Sequence, residues 1–293
     1  TETAFAYLFF QITICGGNNP CIDFDGTGFS IVKDAGGNIP LSDLQTLLRG
    51  ITYENTSQNP ATVNRTIDIQ AQDVGGLLSA VATSTIAVNA ENDAPVVTAG
   101  AGATAYTEQG VATVIDSGLS LIDPDGFDGT DPSDQYTGVV RITGNYDAND
   151  ILGFTDTANI QGSLVGDMLT LSVIGGQTAT VAEFEAALQS VTFYNGNDNP
   201  GSLDRTVSFS FDDGVDSSNI ATKVVQVTPV NDAPGITNGF LVGLAGTDED
   251  SASAGTTVSA IVNNAGWNDV DNGAVRGLAI TGMTGNGTWQ YST

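Results

Sequence analysis

A segment of this chain recurs at a nearly constant interval. Residues 51–55 (ITYEN) return 140 residues later as residues 191–195 (VTFYN), and the tetrapeptide Asn-Asp-Ala-Pro at 92–95 returns 139 residues later at 231–234. Two further pairs keep the interval of 140: Asn59-Pro60 with Asn199-Pro200, and Arg65-Thr66 with Arg205-Thr206. Such self-similarity is typical of tandem domains, and about 140 residues is an ordinary domain size. The chain is therefore predicted to be an array of homologous domains.

The two Asn-Asp-Ala-Pro tetrapeptides predict the domain limits. Each follows a polar-alternating segment and precedes a new apolar start, and its proline cannot continue a strand ladder. Residues 1–95 are predicted to be the C-terminal part of one repeat, 96–234 a complete repeat, and 235–293 the N-terminal part of a further repeat.

Local patterns predict an all-β fold. Short β-branched or alternating runs at 139–143, 168–173 and 206–211 are separated by Gly, Asn and Asp clusters. One short helix is expected in each repeat, since Thr180 and Glu183 form a capping-box pattern ahead of an apolar stripe, and Ser42 and Gln45 occupy the same place in the first copy. We expect tandem Greek-key β-sandwich domains, each with one short helix.

The charge balance limits the partners of the chain. It carries 34 acidic and 7 basic residues and no histidine, for a net charge of −27, while 40% of its residues are hydrophobic. That apolar content suffices for folded cores, and nucleic acid and anionic membranes are excluded as partners because both require a basic surface. Folded domains of such negative charge favour divalent cations as counterions. No segment is long and apolar enough for membrane insertion.

The composition also argues against an enzyme. Without histidine, general acid–base chemistry near neutral pH has no ordinary carrier, and the sequence offers no nucleophile–base constellation. No catalytic residue is therefore predicted.

Two cysteines, Cys15 and Cys21, flank the turn sequence Gly-Gly-Asn-Asn-Pro. A disulfide across this turn is sterically natural and would suit an oxidising compartment. Two free thiols are the alternative. A zinc site is not expected, because further sulfur and histidine ligands are absent from the sequence.

The middle repeat resembles the cadherin-like tandem domains of large bacterial surface adhesins. The resemblance covers this whole repeat and the visible parts of both neighbours. The residues that carry it are Glu108, Asp123-Pro124-Asp125, Arg205-Thr206, Asp212-Asp213-Gly214 and Asn231-Asp232-Ala233-Pro234, and the last repeat opens similarly with Glu249 and Asp269-Val270-Asp271. The cadherin Asp-Arg-Glu element has no clear counterpart here, which implies fewer ions at each junction.

The resemblance implies Ca²⁺ at the junctions between repeats. Calcium prefers six to eight carboxylate, amide and carbonyl oxygens, and Asp-x-Asp places two carboxylates on one side of an extended segment. The implied ligands of the first junction are Asn92, Asp93, Asp123, Asp125 and Asp213. Those of the second are Glu108, Asn231, Asp232, Asp269 and Asp271, and Glu249 is the corresponding acid of the last repeat. The alternative is that these Asn and Asp residues only cap turns.

The sequence thus predicts a structural stalk segment of an extracellular, calcium-rigidified cell-surface adhesin. Its partners would be neighbouring repeats or subunits, and possible targets are surface glycans or other cells. One alternative is a subunit of a surface filament or layer, in which the C-terminal part of one chain completes the N-terminal part of the next by strand complementation. The other is a carbohydrate-binding sandwich, for which Trp267 and Trp289 are the candidate platform residues.

Overall fold

A computed structural model describes residues 20–24, 29–33, 40–71, 77–125, 135–237 and 243–291 of the chain. The chain divides into two compact units, Thr1–Asp93 and Ala94–Thr293. Strands in several sheets, with three short helices, account for the regular structure of the described residues. The prediction of an all-β sandwich fold is confirmed. Cys15 lies outside the described residues, and the predicted disulfide with Cys21 therefore stays a prediction.

The described residues of the first unit form two antiparallel strand pairs and one helix. Strand β1 (Pro20–Phe24) pairs with β2 (Phe29–Lys33), helix α1 spans Leu41–Arg49, and β3 (Arg65–Ile69) pairs with β4 (Ala82–Ile86).

The helix of the first unit forms where it was predicted, but the predicted capping box at Ser42 is wrong. Ser42 already lies inside the helix, because Pro40, with φ −56° and ψ 139°, is the N-cap and its carbonyl accepts from the backbone N–H groups of Asp43 and Leu44. Proline has no side-chain acceptor, so this helix lacks a side-chain cap.

The described part of the middle repeat contains eleven strands and one helix. They are β5 (Val96–Thr98), β6 (Thr104–Thr107), β7 (Thr113–Val114), β8 (Ser120–Ile122), β9 (Thr137–Gly144), β10 (Asp150–Gly153), β11 (Ile160–Val165), β12 (Met168–Val173), α2 (Val181–Ser190), β13 (Thr192–Asn195), β14 (Arg205–Asp212) and β15 (Ala221–Thr228). Six strands form one sheet in the order β11-β12-β9-β14-β15-β6, three form a second sheet in the order β10-β13-β7, and β5 pairs with β8. In the six-stranded sheet β6 runs parallel to β15, and the other pairings are antiparallel.

The core lies between these layers. Alternate residues of β14, including Val207, Phe209 and Phe211, are fully buried, as the Val-Ser-Phe-Ser-Phe pattern predicts. Helix α2 begins with the predicted capping box between Thr180 and Glu183 and buries its apolar side against this core.

Two buried ion pairs add polar connections to this core. Arg205 at the start of β14 contacts Asp150 at the start of β10, with 2.8 Å between Nε and Oδ2. Lys223 of β15 contacts Asp116, which follows β7, with 3.3 Å between Nζ and Oδ1. Each pair joins the six-stranded sheet to the smaller layer, and each buried charge is compensated by its partner.

The last repeat begins as the middle one does. Strand β16 (Gly235–Ile236) pairs with β17 (Trp267–Asn268) in the antiparallel way in which β5 pairs with β8. Helix α3 (Val258–Asn264) immediately precedes β17, where the middle repeat has a turn before β8. The sequence predicted no helix at this place. None of the helices in the described part of the chain is long and apolar enough to cross a membrane.

Candidate metal centre

The parallel pairing of β6 and β15 places Glu108 beside the linker that follows the middle repeat. Parallel strands end at the same edge, so the residues after Thr107 and after Thr228 are neighbours. The backbone N–H of Glu108 donates to the Thr228 carbonyl at 3.0 Å. The Glu108 carboxylate accepts from the Val230 N–H through Oε2 at 2.7 Å, and the residue is only 3% exposed.

Two carboxylate oxygens at this edge have no hydrogen-bond partner among the described residues. They are Oε1 of Glu108 and Oδ2 of Asp232, and both are buried. Buried polar atoms are nearly always paired in folded proteins, and leaving one unpaired costs about 1–3 kcal/mol, more when it is charged. These two oxygens therefore fit a ligand that accepts electron pairs, such as a cation.

The Asp-x-Asp turn of the last repeat lies directly against the linker. The backbone N–H of Asp232 donates to Oδ2 of Asp271 at 2.7 Å. Asp269 shapes the turn, since its Oδ1 accepts from the Asp271 N–H at 2.9 Å. In the linker itself the Asn231 side-chain amide donates to the Asp232 carbonyl at 2.9 Å. The structure thus brings together the predicted residues Asn231, Asp232, Asp269 and Asp271, and it places Glu108 at the same linker.

The sequence did not predict three of the residues that lie at this edge. The Gln109 Nε2 lies 3.2 Å from Oδ1 of Asp232 and 3.4 Å from Oδ1 of Asp198, so one amide bridges two carboxylates. The Asn199 side-chain amide donates to the Val270 carbonyl, in the middle of the Asp-x-Asp turn, at 2.9 Å. The one sequence signal for these residues was the Asn-Pro dipeptide at 199–200, which also occurs in the first repeat. This dipeptide does not identify Asp198 as part of the site.

The backbone turn that contains Glu108 recurs around Glu249. Gln109 follows Glu108 with a φ of 57°, and Asp250 follows Glu249 with a φ of 60°. In each case the N–H of the next residue closes a turn onto the residue before the glutamate. Left-handed backbone at a non-glycine residue is uncommon, so its recurrence supports the predicted equivalence of the two glutamates. Glu249 itself is exposed.

Asp123, Asp213 and Asp93, which are further predicted ligands, form hydrogen bonds within their own units. Asp123 accepts from the Asp125 N–H at 3.1 Å, which is the same turn that Asp269 forms in the last repeat. Asp213 is 5% exposed, and its Oδ1 accepts from the N–H groups of Val215 and Asp216. In the first unit, Oδ1 of Asp93 accepts from Nε2 of Gln58 at 3.0 Å.

Asn92, which is also a predicted ligand of the first junction, lies in the linker between the first and the middle repeat and is exposed.

We call Glu108, Asp232, Asp269 and Asp271 the linker cluster. Arg141, Arg205 and Lys223 each form an ion pair with a carboxylate outside this cluster. Within the described part of the chain, no three acidic or cysteine side chains already converge as a ready-made metal site. A cation would therefore have to draw the carboxylates of the linker cluster together, which their mutual repulsion opposes until the charge is neutralised.

Comparison with known proteins leaves the family of the chain open. No protein-family model matches the chain. No curated protein is significantly similar to it. A functional conclusion therefore depends on the residues of the chain itself.

Proposed function

We propose that this chain is a structural stalk segment of an extracellular, calcium-rigidified cell-surface adhesin. The observation that carries the proposal is the pair of buried, unpartnered carboxylate oxygens on Glu108 and Asp232, next to the Asp-x-Asp turn of the following repeat. Oxygen atoms of this kind are the ligands that Ca²⁺ prefers. The resemblance to cadherin-like repeats supports the same conclusion.

The residues that would hold the ion are those of the linker. Carboxylates of Glu108, Asp232, Asp269 and Asp271 would supply negative charge, and Asn231 would supply an amide oxygen. Bound Ca²⁺ would neutralise facing carboxylates from two consecutive repeats. Because interfaces between domains of one chain are generally small and mobile, an ion held from both sides would restrict bending at the linker, which is a mechanical role.

The proposed extracellular location sets the affinity that is expected of such a site. Ca²⁺ sites of extracellular modules bind in the range of roughly 10⁻⁴–10⁻³ M. Calcium at that level would occupy the linker outside a cell and leave it empty inside one. Neighbouring repeats of the same chain or of neighbouring subunits are the proposed partners.

Calcium should raise the melting temperature of the full chain. At 10 mM Ca²⁺, about 10 to 100 times the expected Kd, mass action should stabilise the folded state by roughly 1.4–2.7 kcal/mol. Differential scanning fluorimetry in chelator and in Ca²⁺ measures this shift, and small-angle scattering should show a narrower distribution of maximum dimensions with Ca²⁺.

A matched pair of variants localises the effect. Glu108→Gln combined with Asp271→Asn should remove most of the calcium response, whereas Asp204→Asn, which changes an exposed acid of the same repeat, should retain it. Identical melting and scattering curves in chelator and in Ca²⁺ would refute the proposal.

A further inference from the structure

The loop that follows β13 is constructed in the same way in the middle and the first repeat. In the middle repeat, the Asn197 N–H donates to Oδ1 of Asn195 at 2.8 Å, and the Asn199 N–H donates to Oδ1 of Asn197 at 3.1 Å. These are two successive turns closed by short polar side chains.

The first repeat repeats both turns. The Ser57 N–H donates to Oδ1 of Asn55 at 2.9 Å, and the Asn59 N–H donates to Oγ of Ser57 at 3.3 Å. Each residue lies 140 positions before its counterpart. Residue 58 of the first repeat and residue 198 of the middle repeat therefore occupy equivalent positions in this loop.

The side chains at these equivalent positions differ in charge. Gln58 is neutral, and its amide donates directly to the linker carboxylate of Asp93 at 3.0 Å. Asp198 is a second carboxylate, and it shares with Asp232 the single amide nitrogen of Gln109. Asp93 thus receives a hydrogen bond from a neutral side chain at this position, whereas Asp232 faces an additional negative charge.

Asp198 also lies close to the next repeat. The adjacent residue, Asn199, donates to the Val270 carbonyl between Asp269 and Asp271. Asp198 is exposed, so its carboxylate is free to turn towards a bound ion. The buried, unpartnered Oε1 of Glu108 is an independent sign that this edge can accept a cation.

We infer that Asp198 is a further cation ligand of the second linker, and that the residue at this loop position sets how strongly each linker depends on a divalent cation. This inference rests on the proposed function. An aspartate adds charge and oxygen ligands, both of which raise the affinity for Ca²⁺. A glutamine instead satisfies the linker aspartate by a hydrogen bond and lowers the need for an ion.

Exchanging the two residues tests the inference. Asp198→Gln, which installs the first repeat's residue, should weaken Ca²⁺ binding to the full chain by at least about 10-fold in isothermal titration calorimetry, as loss of groups in metal sites commonly does. Asp204→Gln, an exposed acid in the same repeat, is the matched control and should leave the affinity unchanged. Melting in chelator verifies that both variants are folded.

The reciprocal variant tests the first linker position. Gln58→Asp removes the amide that binds Asp93 and places two carboxylates together. We expect a lower melting temperature in chelator, which Ca²⁺ restores.

The outcomes separate the two proposals. Absence of Ca²⁺ binding in the unaltered chain would overturn the proposed function itself. Equal Ca²⁺ affinity of the unaltered chain and Asp198→Gln would overturn only the role of Asp198, and a Gln58→Asp variant that melts lower and is not restored by Ca²⁺ would contradict the general role of this position.

Discussion

Replacing Asp150 by Asn should destabilise the middle repeat strongly. The substitution keeps the size of the side chain but removes the charge that faces Arg205, whose Nε lies 2.8 Å from Oδ2 of Asp150. Both side chains are almost fully buried, at 2% and 0% exposure. Removing one partner of such a pair leaves an uncompensated buried charge and costs about 3–5 kcal/mol.

The magnitude follows from how completely Arg205 is enclosed. Its two terminal nitrogens donate to the Leu203 and Pro200 carbonyls, and these bonds persist in the variant. The carboxylate of Asp150 also accepts from the Asp147 N–H and from the Asn195 amide, so an asparagine there weakens further contacts. For a compact unit of about 200 residues, 3–5 kcal/mol corresponds to a fall in Tm of roughly 6–20 °C.

The chain offers a control with the same geometry. Arg141 and Asp167 also contact each other through Nε and Oδ2 at 2.8 Å, but their side chains are 53% and 28% exposed. Asp167→Asn should therefore cost at most about 1 kcal/mol. Chemical denaturation followed by circular dichroism measures both variants.

The reasoning fails if the buried and the exposed variant lose the same stability. A further check is the double variant Asp150→Asn with Arg205→Met, in which no charge remains buried. Since apolar replacement of a buried pair is often neutral, the double variant should be more stable than Asp150→Asn alone.

Three further predictions concern helix α2 and a tight turn. Thr180→Ala should cost about 1 kcal/mol, because the hydroxyl caps the helix, as denaturation curves would show; an unchanged midpoint would contradict this role. The backbone N–H of Thr180 and the amide of Asn159 hold the pKa of Glu183 below its usual value of 4.5. The stability advantage over Glu183→Gln should therefore be full above about pH 5 and disappear as the pH falls through the lowered pKa, whereas an advantage that stays constant during acid titration would refute this. Gly214→Ala should cost on the order of 1–3 kcal/mol, since Gly214 has a φ of 92° and an added Cβ would lie 3.2 Å from the backbone nitrogen of Gln135; a variant with wild-type Tm would contradict it.

Much of the fold was predictable because it is encoded locally. The alternation of β14 and the capping box of α2 are visible in consecutive residues, and the structure confirms both. The partners of the buried cations were not predictable. Arg205 pairs with a carboxylate 55 positions away in the sequence, and Lys223 pairs with one 107 positions away. Local sequence carries no signal for such distant contacts.

The sequence alone determined the repeat interval, the strand pattern and the acidic residues that resemble calcium ligands. Only the tertiary structure decided which of them meet at one linker. The parallel pairing of β6 with β15 places Glu108 beside the linker, and the loop after β13 contributes Asp198 and Asn199. The physical reason is that a cation site requires oxygens from separate segments at the same point in space, and their convergence depends on how the strands pair.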